Sequence, residues 1–364
     1  MYTSPKDISI DEGDYMNRER ISIYDSRPGM AIAESIYNEF GAVVIIEGTI
    51  LDRQTIDRIE GMGVLEIEVV TEEETKSNDS EDLDSRYRQN VKDISDIMND
   101  LREGLALDMQ KINKIADTIS SGLYSHDDIV GKLSRHVDPD EYINTHSINV
   151  SVLAMTLGKW MGCSEDTVRN LILAGLLHDI GKSKIPLEVI NKPEGLDPKE
   201  FVLIEQHPKY AFEILEDVDG IDNEVLLGIL THHEREDGSG YPLGITSEKI
   251  NLIGKILAIV DIFDAMTSER HYRKKQSPFE VFKQMQNDSF GRLHPVILNK
   301  FVKNMAQSYM GAVASLTNGQ RGQIVFINNN KNSKPIININ GELVDLSLES
   351  GLKIESIVIK NKIL

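Results

Sequence analysis

The stretch LLHDIGKSKIP, residues 176–186, closes an apolar run on His178 and Asp179 side by side and follows them with Gly181 and Lys182. Upstream, VRNLILAGLL (168–177) repeats apolar residues three and four apart, the period of a helix with a buried face. A buried helix that stops on an imidazole and a carboxylate presents two good metal donors at its end. The same period recurs on both sides of this segment, in INVSVLAMTLGKWM (148–161), FVLIEQHPKYAFEIL (201–215), NEVLLGILTHH (223–233) and LIGKILAIVDIFDAM (252–266). Residues 91–306 therefore read as an all-α core. Helix starts are marked too, most clearly at DPKE (197–200), where Asp197 caps, Pro198 suits the first turn and Glu200 completes a capping box.

The flanks read differently. Residues 1–70 carry β-branched runs at 42–46 and 65–70 around glycine turns, with a helical stretch near 52–61, and predict a small α+β domain. Residues 71–90, TEEETKSNDSEDLDSRYRQN, are almost wholly polar and are expected to form a solvated linker. From 307 to 364 short alternating segments (RGQIVFI, KPIININ, ELVDLSL, LKIESIVIK) between turns such as NNNKN and NGE predict a small β-rich module. The fold class is multidomain, a helical core between these two flanking modules.

Of 364 residues, 39 are Lys or Arg and 59 are Asp or Glu, a net charge of −20. That balance argues against binding to a nucleic-acid polymer or an anionic membrane surface, so an anionic ligand needs a local positive site. With no apolar stretch of membrane-spanning length and no secretory signal, the chain is expected in the cytoplasm. Cys163, the single cysteine, permits no internal disulfide and reads as a packing residue.

Nine histidines are present, and His146, His178, His207, His232 and His233 fall where apolar helical runs meet polar residues. One such histidine is ordinarily a packing or surface residue, but these five together with Asp179 and Asp261 offer enough imidazole and carboxylate donors for two divalent ions if one carboxylate bridges. Asp179 is the candidate bridge. Two ions at about 3.5–4 Å activate a water and stabilise both oxygens of a phosphodiester displacement. A second adjacent pair, His126 and Asp127 in SHDDIV, lacks the preceding apolar helix and the following Gly-Lys, and reads as a solvated helix start. His136, His271 and His294 are assigned no role.

Taken together, HSINVS at 146, HDIGK at 178, HP at 207, HHEREDGSGYP at 232 and DIFDAMTSERHYR at 261 resemble the HD-GYP subgroup of the HD-domain metal-dependent phosphohydrolases, over roughly residues 130–306. The resemblance implies hydrolysis of cyclic di-GMP to linear pGpG, and in many members on to GMP, by a metal-bridging hydroxide. The implied cofactors are two divalent metals, iron foremost and manganese as the alternative. The implied ligands are His146, His178, Asp179, His207, His232, His233 and Asp261. By the same resemblance Lys182 faces a phosphate oxygen or the bridging hydroxide, Tyr241 lies at the substrate mouth, and Asp264, Arg270 and Arg273 bind the nucleotide. Some members hold a third metal through a glutamate one turn before the first histidine. Here that position is Tyr142, with Glu141 beside it, so two metals are expected. The Gly-Tyr-Pro loop docks a diguanylate cyclase domain in some members, and a homodimer is compatible with the flanking modules. Ala211 stands where the family commonly has glycine, a difference of one methyl group that removes no donor. Two other readings are carried forward: a phosphodiesterase for another cyclic dinucleotide, and a cyclic di-GMP effector with little turnover.

Overall fold

The computed structural model describes residues 17–358 apart from 24–25, 28, 38–42, 53–54, 57, 60–63, 65, 72–77, 122–141, 193–194, 269–275, 289–290, 329–330 and 350. Two compact units divide at Leu83/Asp84. In the first, β1 (Asn17–Ser22), β5 (Glu66–Thr71) and β2 (Ala31–Ile32) form an antiparallel sheet in the order β1-β5-β2, and β3 (Ile36–Tyr37) pairs with β4 (Val43–Ile45). Ile67 and Val69 of β5 point inward onto Ile23, Ile32, Ile45, Leu51 and Ile59 while Glu66 stays exposed, the alternation of a half-buried strand.

The expected linker at 71–90 is corrected from Asn78 onward, because α1 runs from Asn78 to Arg102. Its inward stripe is Tyr87, Asn90, Val91, Ile94, Ile97 and Met98, at three- and four-residue intervals. The first two members are polar-tipped, so a search for apolar periodicity misses the early turns of this helix. The helices that follow are α2 (Met109–Ser120), α3 (Tyr142–Met161), α4 (Glu165–Leu177), α5 (Leu187–Ile190), α6 (Pro198–Ile204), α7 (His207–Leu215), α8 (Asn223–Thr231), α9 (Leu252–Thr267), α10 (Pro278–Asp288) and α11 (Pro295–Gln307), with a 3₁₀ turn at Ile180–Lys184.

Local chemistry sets where these helices begin. Asp108 caps α2, the Ser164 hydroxyl caps α4 through Thr167 N–H at 3.2 Å, and Asn251 caps α9 through Gly254 N–H at 2.9 Å. The predicted capping box on α6 is present: Asp197 accepts from Lys199 and Glu200 N–H at 2.7 and 2.9 Å, and Glu200 accepts from Asp197 N–H at 2.8 Å. Helices α3 and α4 cross closely at Gly175, where any side chain would strike the Ser151 backbone. Around them α8, α9 and α11 bury Ile229, Leu257, Phe263 and Phe301 in one core.

The chain ends in an antiparallel five-stranded sheet ordered β10-β6-β7-β8-β9, with β6 Val313–Leu316, β7 Arg321–Phe326, β8 Ile336–Ile339, β9 Glu342–Asp345 and β10 Ile354–Val358. The NGE turn is a two-residue hairpin between Ile339 and Glu342, with Asn340 at φ 53° and Gly341 at φ 93°, the left-handed pair that a tight hairpin requires. Ala314, Leu316, Ile324 and Ile337 of this sheet join the helical core, so the boundary drawn at 306/307 marks a change of pattern and not a break in packing. Among the described residues no helix is long and apolar enough to cross a membrane.

Candidate metal centre

Three of the histidines sit where a helix ends. A helix leaves its last carbonyls without intrahelical donors, and an imidazole N–H just beyond the end can fill one of them. His178, capping α4, donates Nδ1–H to Gly175 O at 2.9 Å. His232, capping α8, does the same to Ile229 O at 2.6 Å, and His207, just past α6, to Ile204 O at 2.8 Å. Each bond fixes the ring and its tautomer, and leaves the Nε2 lone pair pointing inward. His146 on α3 is held likewise by a side chain: its Nδ1 lies 2.7 Å from Asp264 Oδ2, and Asp264 Oδ1 accepts from Asn149 Nδ2 at 2.9 Å.

The inward atoms fall into two groups. His146, His178 and Asp179 bring one ligand atom each to within 4.8 Å of one another, as do His207, His232 and His233. Asp179 lies between them: Oδ2 is 3.5 Å from His178 Nε2 and 3.8 Å from His146 Nε2, while Oδ1 is 3.4 Å from His207 Nε2. Asp261 on α9 also reaches both, with Oδ1 3.1 Å from His146 Nε2 and Oδ2 3.8 Å from His233 Nδ1. Lys182 closes the edge, its Nζ 2.6 Å from Asp179 Oδ2 with the side chain 24% exposed.

This arrangement is unsatisfied without a cation. His178 Nε2 is buried with no hydrogen-bond partner. His207 Nε2 and His232 Nε2 lie 3.3 Å apart, although both rings already place their proton on Nδ1. Burial holds His207 down to about 4, against the pull of Asp179, and holds His232 and His233 well below the ordinary histidine value. Both facing nitrogens are then bare lone pairs near neutrality, a contact that a shared positive ion relieves. Burial opposes charge on Asp179, yet Lys182 and the surrounding imidazoles keep its carboxyl well below the usual range. The donor set fits divalent metal.

Gly181 brings the two histidine-bearing segments together. A Cβ there would collide with His207 O and Ala211 N, so the turn after Asp179 lies directly on the backbone of α7. Ala211 is fully buried one turn after His207 and takes no donor away.

Other predicted site residues fare differently. Tyr241 is at the second group, its ring 4.6 Å from that of His233 and 6.5 Å from that of His207, and burial pushes its hydroxyl pKa up. Asp264 is corrected: it is wholly buried behind His146, with one oxygen on His146 and the other on Asn149, so it supports a ring and presents nothing to a nucleotide. Arg270, Arg273 and His271 lie outside the described residues, as do His126, Asp127, His136, Glu141 and the side chain of Tyr142.

Two residues escaped the sequence reading. Glu234, 2% exposed, accepts N–H groups from Leu243, Gly244 and Ile245 at 2.6, 3.0 and 3.1 Å and so anchors the loop that carries Tyr241. Arg235 is partly buried beside it, donates to Glu234 O at 3.2 Å, and lies in the field of Asp261 and Tyr241; burial lowers its pKa. Their signal was the unbroken polar run after His233, which also reads as an ordinary turn.

Residues 122–294 match the HD domain family model. The chain is 34% identical over 232 residues to cyclic di-GMP phosphodiesterase PA4108 of Pseudomonas aeruginosa, covering 64% of this chain and 56% of that protein. It is 36% identical over 181 residues to a cyclic di-GMP phosphodiesterase of Thermotoga maritima (48% of each), and 38% identical over 170 residues to 3'3'-cGAMP-specific phosphodiesterase 1 of Vibrio cholerae (46% of this chain, 39% of that one). The chain thus spans about half the length of the curated relatives it matches. Among solved structures, Bd1817, an HDG"Y"P protein from Bdellovibrio bacteriovorus, superposes with a TM-score of 0.51 at 14% identity, covering 78% of this chain and 98% of that one, a likeness of fold.

Proposed function

We propose that this protein is a metal-dependent phosphodiesterase that hydrolyses cyclic di-GMP to pGpG and onward to GMP. The observation that carries the reading is Asp179, one oxygen toward each of two histidine groups, beside His207 Nε2 and His232 Nε2, which face each other with no proton to share. His146, His178, Asp179 and Asp261 would hold one divalent ion, and His207, His232 and His233 with the other oxygen of Asp179 a second, iron being the expected metal and manganese the alternative. When bound, such a pair supplies Lewis acidity and a water acidic enough to lose its proton near neutrality.

The chain's own groups do the rest. Lys182, held on Asp179, brings positive charge to the edge where the phosphodiester gains negative charge. Arg235 adds a second cation beside Tyr241, whose ring walls the second group and offers a face for a guanine base. Asp264 and the helix-end carbonyls keep His146, His178, His207 and His232 in their donor tautomers. Arg270 and Arg273 remain assigned to the nucleotide on the strength of the resemblance. This reading makes the first unit and the terminal sheet accessory to the helical core in function, with the Gly-Tyr-Pro loop and a homodimer as further contacts and the cytoplasm as the place of action.

The test is anaerobic purification with iron or manganese, elemental analysis, and chromatography of products from cyclic di-GMP. Wild type yields pGpG and GMP and binds two metals per chain, and Asp179→Ala loses metal and turnover together. Full turnover in metal-depleted protein overturns the reading. The similarity to a 3'3'-cGAMP-specific enzyme favours one second reading, cleavage of a mixed GMP–AMP ring. Faster turnover of that ring than of cyclic di-GMP would select it, and tight binding of either ring with no product would select an effector.

A further inference from the structure

The metal centre does not end at its ligands. Behind His146, Asp264 Oδ1 accepts from Asn149 Nδ2 at 2.9 Å, and Asn149 Oδ1 accepts from the Tyr87 hydroxyl at 3.1 Å. Tyr87 lies on α1, 62 residues from Asn149 in sequence, and Asn149 lies one turn along α3 from His146. The polarity of this chain is fixed from its inner end. Asn149 turns its NH₂ inward to Asp264 and its carbonyl outward, where the Tyr87 hydroxyl donates to it. Each hydrogen bond orients the next group, and the last orients the His146 ring that faces Asp179 and Asp261.

We infer that Tyr87 and Asn149 are positioning residues for the metal centre, acting through Asp264 to aim His146 Nε2 at the first ion. Neither residue is itself a candidate ligand. The Tyr87 ring is partly buried against the helical core, so its packing and its hydroxyl can be separated by substitution. Tyr87→Phe keeps the ring and deletes the donor, which frees the Asn149 amide to rotate and loosens Asp264. The half of the centre without His146 has no part in this chain: His207 and His232 are held by backbone carbonyls instead. The effect must therefore fall on one ion and spare the other.

The inference rests on the two-metal reading, and the experiment separates the two. Metal-free full-length protein is titrated with Mn(II) while free Mn(II) is followed by its electron paramagnetic resonance signal. Wild type is expected to show two sites; absence of any Mn(II) binding defeats the metal reading itself. Asn149→Ala is expected to weaken one site about 10- to 100-fold, as loss of a ligand's hydrogen-bond support does, and Tyr87→Phe to weaken the same site about 3- to 10-fold, with the other site unchanged in both. In series, the double variant binds no more weakly than Asn149→Ala alone. Asn149→Asp, which replaces the amide donor by a carboxyl group, should resemble Asn149→Ala, whereas Asn149→Gln should recover part of the loss. If wild type binds two ions and Tyr87→Phe leaves both sites intact, or weakens both equally, the positioning role is wrong. If Tyr87→Phe does not fold, Asn149→Gln against Asn149→Ala decides the same question.

Discussion

Asp264 illustrates how one carboxylate can serve a centre it never enters. Its oxygens hold His146 and Asn149 and it is wholly buried, so Asp264→Asn keeps the shape but turns an NH₂ or a weaker acceptor toward a ring that needs a strong one. Mn(II) affinity at the His146 site is expected to fall about 10- to 100-fold, measured by the same titration, while the His207 site keeps its affinity. The substrate-contact role expected for Asp264 followed from its position three residues after Asp261, which puts both on one side of α9. Spacing along a helix says which residues are neighbours but not what the surrounding helices enclose, and here they enclose Asp264 completely. The convergence of the candidate donors was legible because metal chemistry restricts the residue types: each of His146, His178, Asp179, His207, His232, His233 and Asp261 falls in one of the two groups or within reach of both. Tyr87 and Asn149 were not, since a hydrogen bond across 62 residues leaves no local pattern.

At the level of elements, two short segments carry most of the geometry. The 3₁₀ turn at Ile180–Lys184 rests on α7 through Gly181, and Gly181→Ala would drive a methyl group into His207 O. It is expected to destabilise the fold by about 1–3 kcal/mol or more. Because the displaced group is the backbone of a proposed ligand, metal content should drop as well; urea unfolding and elemental analysis read the two effects. The loop from Asp237 to Ile245 hangs on the Glu234 carboxylate, whose two oxygens accept three backbone N–H groups. Glu234→Gln replaces one acceptor oxygen by a donor facing those N–H groups, for an expected loss of about 1–3 kcal/mol. Faster amide exchange at Leu243, Gly244 and Ile245 locates that loss in the loop. The helices and the terminal strands were readable from period alone, and the capping box at Asp197 and the Asn340–Gly341 hairpin from turn chemistry. The early turns of α1 were not, because Tyr87 and Asn90 interrupt the apolar stripe with polar tips.

For the whole molecule, the buried imidazoles tie stability to pH and to metal. In metal-free protein, burial keeps His207 down at about 4 and lowers His178, His232 and His233 as well. The unfolded chain takes up protons below the ordinary histidine value of about 6.5 that the fold refuses, so stability falls as pH drops from about 6.5 toward 4. His146 has the opposite sign. Against its burial, Asp261 and Asp264 raise it to about 9, a contribution complete below 6.5 and lost as pH rises through about 9. Thermal unfolding of metal-free protein is thus expected to show a maximum near pH 6.5 with both limbs descending. Adding Mn(II) at pH 8 should raise Tm, since an ion bound only by the fold stabilises it by mass action, and should release the His146 proton to an indicator dye. A flat Tm profile between pH 4 and 9 would count against the buried-imidazole account. One further consequence reaches across the chain. Because His178, His207 and His232 hang from terminal carbonyls, their aim depends on the length of the preceding helix, and one added residue turns a side chain by about 100°. Helices α4, α6 and α8 therefore serve as rulers: drift in length is affordable between them and ruinous inside them.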